Sequence, residues 1–364
     1  MLIALFSIGI LSAQHHEANE HKTEQTESHN SHATNEHGSE LSLKEQIKAD
    51  INHHLLDSHS FHIAKWPHIN FPLPVILWDN GLQVFSSSKF GEGHETTEHN
   101  GNFYKISHSN GHIYKVDGVH GDIEINEKGF PDRANLPLDF SITKTVVMIM
   151  ITALLMLLLF SGLAKSYGKN GGIAKGPGRL LEPIVLYIRD EIAIPNIGEK
   201  HYKKYMNYLL TIFFFIWFVN LFGLTPLGVN ITGNIAITLS LALLTYLITT
   251  FTAKKDYWKH IFWMPGVPKP MRIVLAPIEL LGTIIKPFSL MIRLYANMKA
   301  GHVVLMSIIG LMFLFKSWLG SSLSFGLAFA LSLLELLVAA LQAYIFTMLS
   351  ALYFGAASEE HDDH

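Results

Sequence analysis

The residues from Lys286 to His302, KPFSLMIRLYANMKAGH, combine types that can do chemistry with a setting that disfavours them. Arg293 stands among Leu290, Met291, Ile292 and Leu294, inside a run otherwise apolar enough for a membrane interior. An ionisable group near the middle of a bilayer costs from about 3 to more than 10 kcal/mol, so it must face protein or water, and it usually marks an ion pathway. The competing reading is an arginine snorkelling from a helix end; apolar sequence on both sides argues against it. At about 100° per residue, Asn297 and Glu279 share the face of Arg293, and His302 falls on the opposite side. A fixed cation with polar groups around one helix suits a barrier between two wet compartments better than a closed ion pair. In the later run Leu323–Phe354, only Glu335 and Gln342 are strongly polar. Seven residues apart, they share a helix face. Glu335 reads as a proton-carrying carboxyl or as half of a structural ion pair with Lys299 or Lys316.

The elements that must hold these groups are membrane helices. Of 364 residues, 49% are hydrophobic and only 16% charged, against about 25% charged in a soluble domain. A net charge of −3 gives no sign of a nucleic-acid partner. The absence of cysteine excludes disulfides, thiolate metal sites and cysteine nucleophiles. No GxxxxGK[ST] or GxGxxG run is present, so the chain has no recognisable nucleotide cradle, and no cofactor or metal is expected.

Residues 1–13, MLIALFSIGILSA, are too short an apolar run to span and read as a signal peptide, although no Lys or Arg precedes the core. Residues 14–40 are a His- and acid-rich tail with too little apolar content to offset the entropy of ordering. Sixteen of the 21 histidines precede Phe140, which suggests either weak metal buffering or pH sensing, or a solvated tail without such a task. Residues 41–140 form an external region. It opens on an amphipathic helix (Leu43, Ile47, Ile51, Leu55) and continues over 65–135 as a small, mostly β part with turns at Asp79-Asn80-Gly81 and Asn110-Gly111.

Residues 141–357 form the membrane part, with spans at 142–164, 209–229 (interrupted by Asn220 and Pro226), 235–253, 273–319 and 323–354. The last two are long and need strong tilting. Residues 180–205 read as a helix lying at the interface. Lys165, Lys169, Lys175 and Arg179 mark one cytoplasmic loop, and Lys254, Lys255, Lys259, Lys269 and Arg272 a second. The positive-inside rule then puts the amino-terminal region outside, as a signal peptide also would, and leaves the tail 358–364 cytoplasmic. Asn234 is equally a helix cap or a water-lining group. The fold class is an all-α polytopic membrane protein of about five membrane helices, with a small extramembrane region containing some β.

KPFSLMIRLYANMKAGH followed by LLVAALQAYIFTMLSALYFGAASEEH resembles subunit a of the F-type ATP synthase. The likeness covers about 141–361, with weaker echoes in INHHL and LTPLGVNITGNIAITLSLAL. It implies a non-catalytic stator in a bacterial inner membrane, assembled with a c-subunit ring, b subunits, other ATP synthase subunits and membrane lipid. The long tilted hairpin would face the ring. Arg293 matches the essential arginine that meets the ring's carboxylate, Asn297 and Gln342 match polar positions at that interface, and Glu279 matches an acid of the cytoplasmic half-channel. His302 and Glu335 match a pair of the external half-channel with the two identities exchanged relative to some members. Asn234 would join them on the external side. The resemblance leaves H⁺ against Na⁺, the direction of operation and the role of the outer region open. The rival class is a secondary cation or metal transporter, which the His-rich head and intramembrane charges suggest, but no internal repeat supports it. A purely structural scaffold is a third reading.

Overall fold

The computed structural model describes residues 57–64, 69–93, 95–107, 109–119, 121–126, 131–169, 171, 176, 178–225, 229–263, 268–314 and 318–359. The apolar start, the His-rich tail, the Leu43–Leu55 pattern and residues 360–364 lie outside the described residues.

The first part is built of short antiparallel strands. β1 (Ser60–Ala64) pairs with β2 (Ile69–Pro72). β3 (Pro74–Trp78) lies between β4 (Leu82–Ser86) and β8 (Leu138–Asp139), and β6 (Asn102–Ile106) lies between β5 (Thr97–His99) and β7 (Ile113–Val116). The Asp79-Asn80-Gly81 turn joins β3 to β4, with φ of 50° at Asn80 and 136° at Gly81. Such values favour glycine and asparagine, which explains the signal. Asn110-Gly111 likewise falls between β6 and β7. Asn100-Gly101 closes the two-residue hairpin from β5 to β6, with φ of 51° and 77°. That dipeptide is itself a strong hairpin signal, and the sequence reading passed over it. Val75, Leu77, Phe85, Phe90, Tyr104 and Ile113 form the local core.

β8 hands the chain to the membrane part without a break in pairing. Phe140 N–H donates to Ile76 O at 2.8 Å and Ile142 N–H to Pro74 O at 3.1 Å. Lys144 N–H then donates to Ser58 O at 2.9 Å, and Asp57 Oδ1 accepts from the Thr145 hydroxyl at 2.8 Å. Here α1 (Lys144–Lys169) begins.

The chain continues through α2 (Gly178–Tyr187), a wide π turn (Ile188–Ala193) and one helical turn (Ile194–Ile197), which ends at Gly198 with φ of 89°. α3 (Tyr202–Gly223), α4 (Ile235–Thr252), α5 (Lys255–Phe262), α6 (Lys269–Leu314) and α7 (Trp318–Ser358) follow. Five of these, α1, α3, α4, α6 and α7, are long and apolar enough to cross a membrane. The 46 residues of α6 rise about 69 Å at 1.5 Å each, against a hydrocarbon core of about 30 Å. A helix that long must run steeply tilted or extend well beyond the apolar layer.

α3 and α4 are the packed centre of the membrane part, and α6 and α7 are far more exposed. Leu209, Ile212, Phe214 and Ile216 of α3 are essentially fully buried. The Tyr205 ring stacks on Phe354 of α7 at 4.5 Å, which locks the ends of α3 and α7 together. At Gly355 α7 runs directly against the backbone of Asn196 and Ile197, where no side chain would fit.

Candidate functional site

α6 positions Arg293 on its open side. Leu290, Met291, Leu294 and Met298 are buried, whereas Ile292, Arg293 and Asn297 are exposed. Periodicity of 3.6 residues puts the bulky apolar groups on the packed face and the guanidinium on the other. Arg293 takes part in none of the described ion pairs. It is a fixed cation on a mostly apolar exposed side with Ile278, Ile285 and Ile292, which also carries Lys286 seven residues before it.

His302 lies on the opposite side of α6, only 5% exposed. Glu335 and Gln342 of α7 are 7% and 3% exposed and share the packed face of their helix. Gly301 lets α7 approach: a Cβ at that glycine would meet Glu335 Oε1 at 2.8 Å. The carboxyl therefore rests on the backbone of α6 one residue before His302. Its Oε2 is buried with no hydrogen-bond partner among the described residues. Lys299, one candidate partner for Glu335, donates to the Tyr295 hydroxyl at 2.7 Å; the other, Lys316, lies outside the described residues.

Asn234 is the N-cap of α4, its Oδ1 accepting from Ala236 N–H at 2.9 Å. The cap satisfies one of the orphan amides at the helix start. Two turns of chain nearby are tied by the Thr232 hydroxyl, which donates to Asn220 Oδ1 at 2.6 Å in a fully buried contact. Asn220 Nδ2 is buried without a partner among the described residues.

Glu279 is half-buried on α6, on the side toward α5. Burial pushes the Tyr257 hydroxyl of α5 up, and the charges of Tyr246 and Glu279 push it further, so the carboxylate is within electrostatic reach of Tyr257. Beside them lies a small cavity between α4, α5, α6 and α7, lined by Thr245, Thr249, Tyr257, Thr283, Lys286 and Tyr353 among others. The Lys286 ammonium sits 5.6 Å from the centre of the Tyr353 ring. Thr245 also pairs with the Tyr208 hydroxyl at 2.7 Å. The sequence reading missed this threonine lining. Its signal was the four-residue spacing of Thr245 and Thr249, which a hydropathy scan treats as neutral.

The candidates thus fall into three groups: Arg293 and Asn297 on the open face of α6; His302, Glu335 and Gln342 on the packed faces of the hairpin; Glu279 beside the polar cavity. Asn234 stands apart as a cap.

A family model described as ATP synthase A chain matches residues 146–355, and a second, described as a domain of unknown function (DUF8433), matches residues 50–140. The chain is 44% identical over 234 residues to ATP synthase subunit a 2 of Chlorobaculum tepidum, covering 62% of this chain and 66% of that protein. It is 44% identical over 231 residues to ATP synthase subunit a of Chloroherpeton thalassium, covering 62% and 69%. The corresponding protein of Myxococcus xanthus is 43% identical over 238 residues, covering 62% and 77%. The chain therefore spans about two thirds or more of the length of these relatives. With the matched segment running from the first turn of α1 to the end of α7, the chain belongs to the ATP synthase A chain family, the subunit a family.

Proposed function

We propose that this chain conducts protons through two half-channels and couples their passage to rotation of a c-subunit ring. The observation that carries this reading is Arg293, exposed on an apolar helix face outside every described ion pair. A guanidinium stays charged at any working pH. On a membrane helix it needs a partner from elsewhere, and a carboxylate on a passing subunit supplies one. Protons enter from outside past His302 and Glu335, with Asn234 and Gln342 along the way, and load that carboxylate. After nearly a full turn the carboxylate meets Arg293 beside Asn297, ionises, and the proton leaves past Glu279 and the threonine-lined cavity. Arg293 also opposes direct leakage, because its field repels a proton hopping between the two sides. Each elementary charge falling through 100 mV releases about 2.3 kcal/mol, so several must be summed for one ATP. The ATP chemistry belongs to other subunits.

The topology that fits places residues 41–140 outside a bacterial inner membrane and residues 358–364 in the cytoplasm. The basic residues after α1 and around α5 support it. The b subunits of a peripheral stalk and the other synthase subunits complete the assembly, and lipid bathes the rest.

Arg293→Lys is the test. The substitution keeps the charge and loses the planar, delocalised fork. ATP-driven proton pumping by the assembled complex in vesicles should vanish while subunit composition is unchanged. Normal coupled pumping would overturn the reading.

A further inference from the structure

The sheet beside the first span has apolar residues on both faces. A half-buried antiparallel sheet normally alternates apolar inward with polar outward. Here Val75, Leu77 and Phe85 point inward, as expected. The outward positions of β3 and β4 are Pro74, Ile76 and Trp78, and Leu82, Val84 and Ser86, none of them charged. Trp78, Leu82 and Val84 are each more than half exposed. Leu138 sits opposite Trp78 on β8, and Phe140, two residues on, continues the same face; both are exposed. Clustered exposed apolar groups of this kind mark a binding surface.

What covers this face follows from where it stands. The β8 pairing continues through Phe140 and Ile142 to within two residues of α1, so the sheet is held to the start of a membrane-spanning helix. The exposed side of that helix, with Met150, Leu154 and Leu158, is lipid-grade from its second turn onward. Trp78 lies opposite Leu138, six residues before α1 begins, and Trp at the rim of an apolar surface joined to a span is the composition found at the headgroup boundary.

We propose that the outer face of the β3–β4–β8 sheet lies on the lipid bilayer, with Trp78, Leu82, Val84, Leu138 and Phe140 seated at the boundary between headgroups and acyl chains. The strand region is then a membrane-surface anchor that fixes the entry of α1. This inference needs only that α1 crosses the membrane, and it stands or falls apart from the proton pathway.

The test uses the whole ATP synthase complex, with other subunits free of cysteine, in phosphatidylethanolamine–phosphatidylglycerol vesicles. This chain has no native cysteine, so Val84→Cys carries one nitroxide label. Leu82→Cys serves as a second site, and Glu98→Cys, at the exposed position of β5, as the aqueous reference. Collision with dissolved oxygen relative to a water-soluble nickel chelate should be at least threefold higher at positions 82 and 84 than at 98. Equal ratios at the three sites would overturn the proposal. So would low collision rates with both reagents at 82 and 84, because that result would mean that another protein covers the face.

Discussion

The Glu335 carboxyl reaches the backbone of α6 at Gly301, next to His302 in sequence, because that glycine leaves room for it. An acid and an imidazole that pass protons between themselves can exchange places and retain the pair, whereas two acids or two imidazoles cannot. His302→Glu combined with Glu335→His should therefore pump better than either single substitution, measured as ATP-driven acidification of vesicles. Equal damage in all three variants would argue against a working pair. Another prediction at this scale concerns the junction outside the span. Burial alone would raise the Asp139 carboxyl, but hydrogen bonds from His59, at 3.2 Å, and Ser141 outweigh it and hold the group below the usual range. A depressed folded value means stabilisation that is present above the unfolded value of about 3.9 and is lost as pH falls through the folded one. The protection factors of the Phe140 and Ile142 amides, with intrinsic exchange divided out, should thus be constant down to about pH 4 and fall below it. Asp139→Asn should abolish that acid step. Arg293 and Glu335 were legible as ionisable groups in apolar runs and Asn297 by its helix spacing, whereas the role of His302 rested on the family resemblance. Gly301 was not legible, since a residue without a side chain announces nothing until a second helix lies on it.

Among the elements, hydropathy marked all five long helices, because each needs a continuous apolar run whatever its neighbours do. It could not show that α2 packs on α1, or that the π turn and the turn to Ile197 dock against α3 and α7. That docking depends on Gly355 meeting the Asn196 backbone, a contact between residues 159 apart in sequence with no compositional signature. It also makes a clean contrast between two glycines. Gly355→Ala would drive a Cβ into a carbonyl, and a backbone cannot swing aside as a side chain does. Overpacking of this kind costs about 1–3 kcal/mol or more, so the yield of assembled complex from membranes should fall several-fold. Gly301→Ala meets only the tip of Glu335, which can rotate away. Assembly should then be near normal while pumping drops. If both variants assembled equally well, the close packing of α7 on Asn196 would be refuted.

For the molecule as a whole, exposure separates two outward surfaces that composition alone treats alike. α1 shows Met150, Leu154, Leu157 and Leu158, with no charge among them, which is what acyl chains require. The α6–α7 hairpin shows an equally apolar surface, with Ile285, Ile292, Leu333 and Leu337, but sets Arg293 and Asn297 into it. Lipid would reject that guanidinium at a cost of several kcal/mol, about 3 at the least on insertion scales, so a protein surface must cover it. The two faces therefore have different neighbours. In the cysteine-free chain, Ile292→Cys and Leu337→Cys should form disulfides with cysteines placed on the outer helix of the ring subunit, and Leu154→Cys should not. Cross-linking of Leu154→Cys as efficient as that of Ile292→Cys would mean that α1, not the hairpin, faces the ring, and Arg293 would then need another partner.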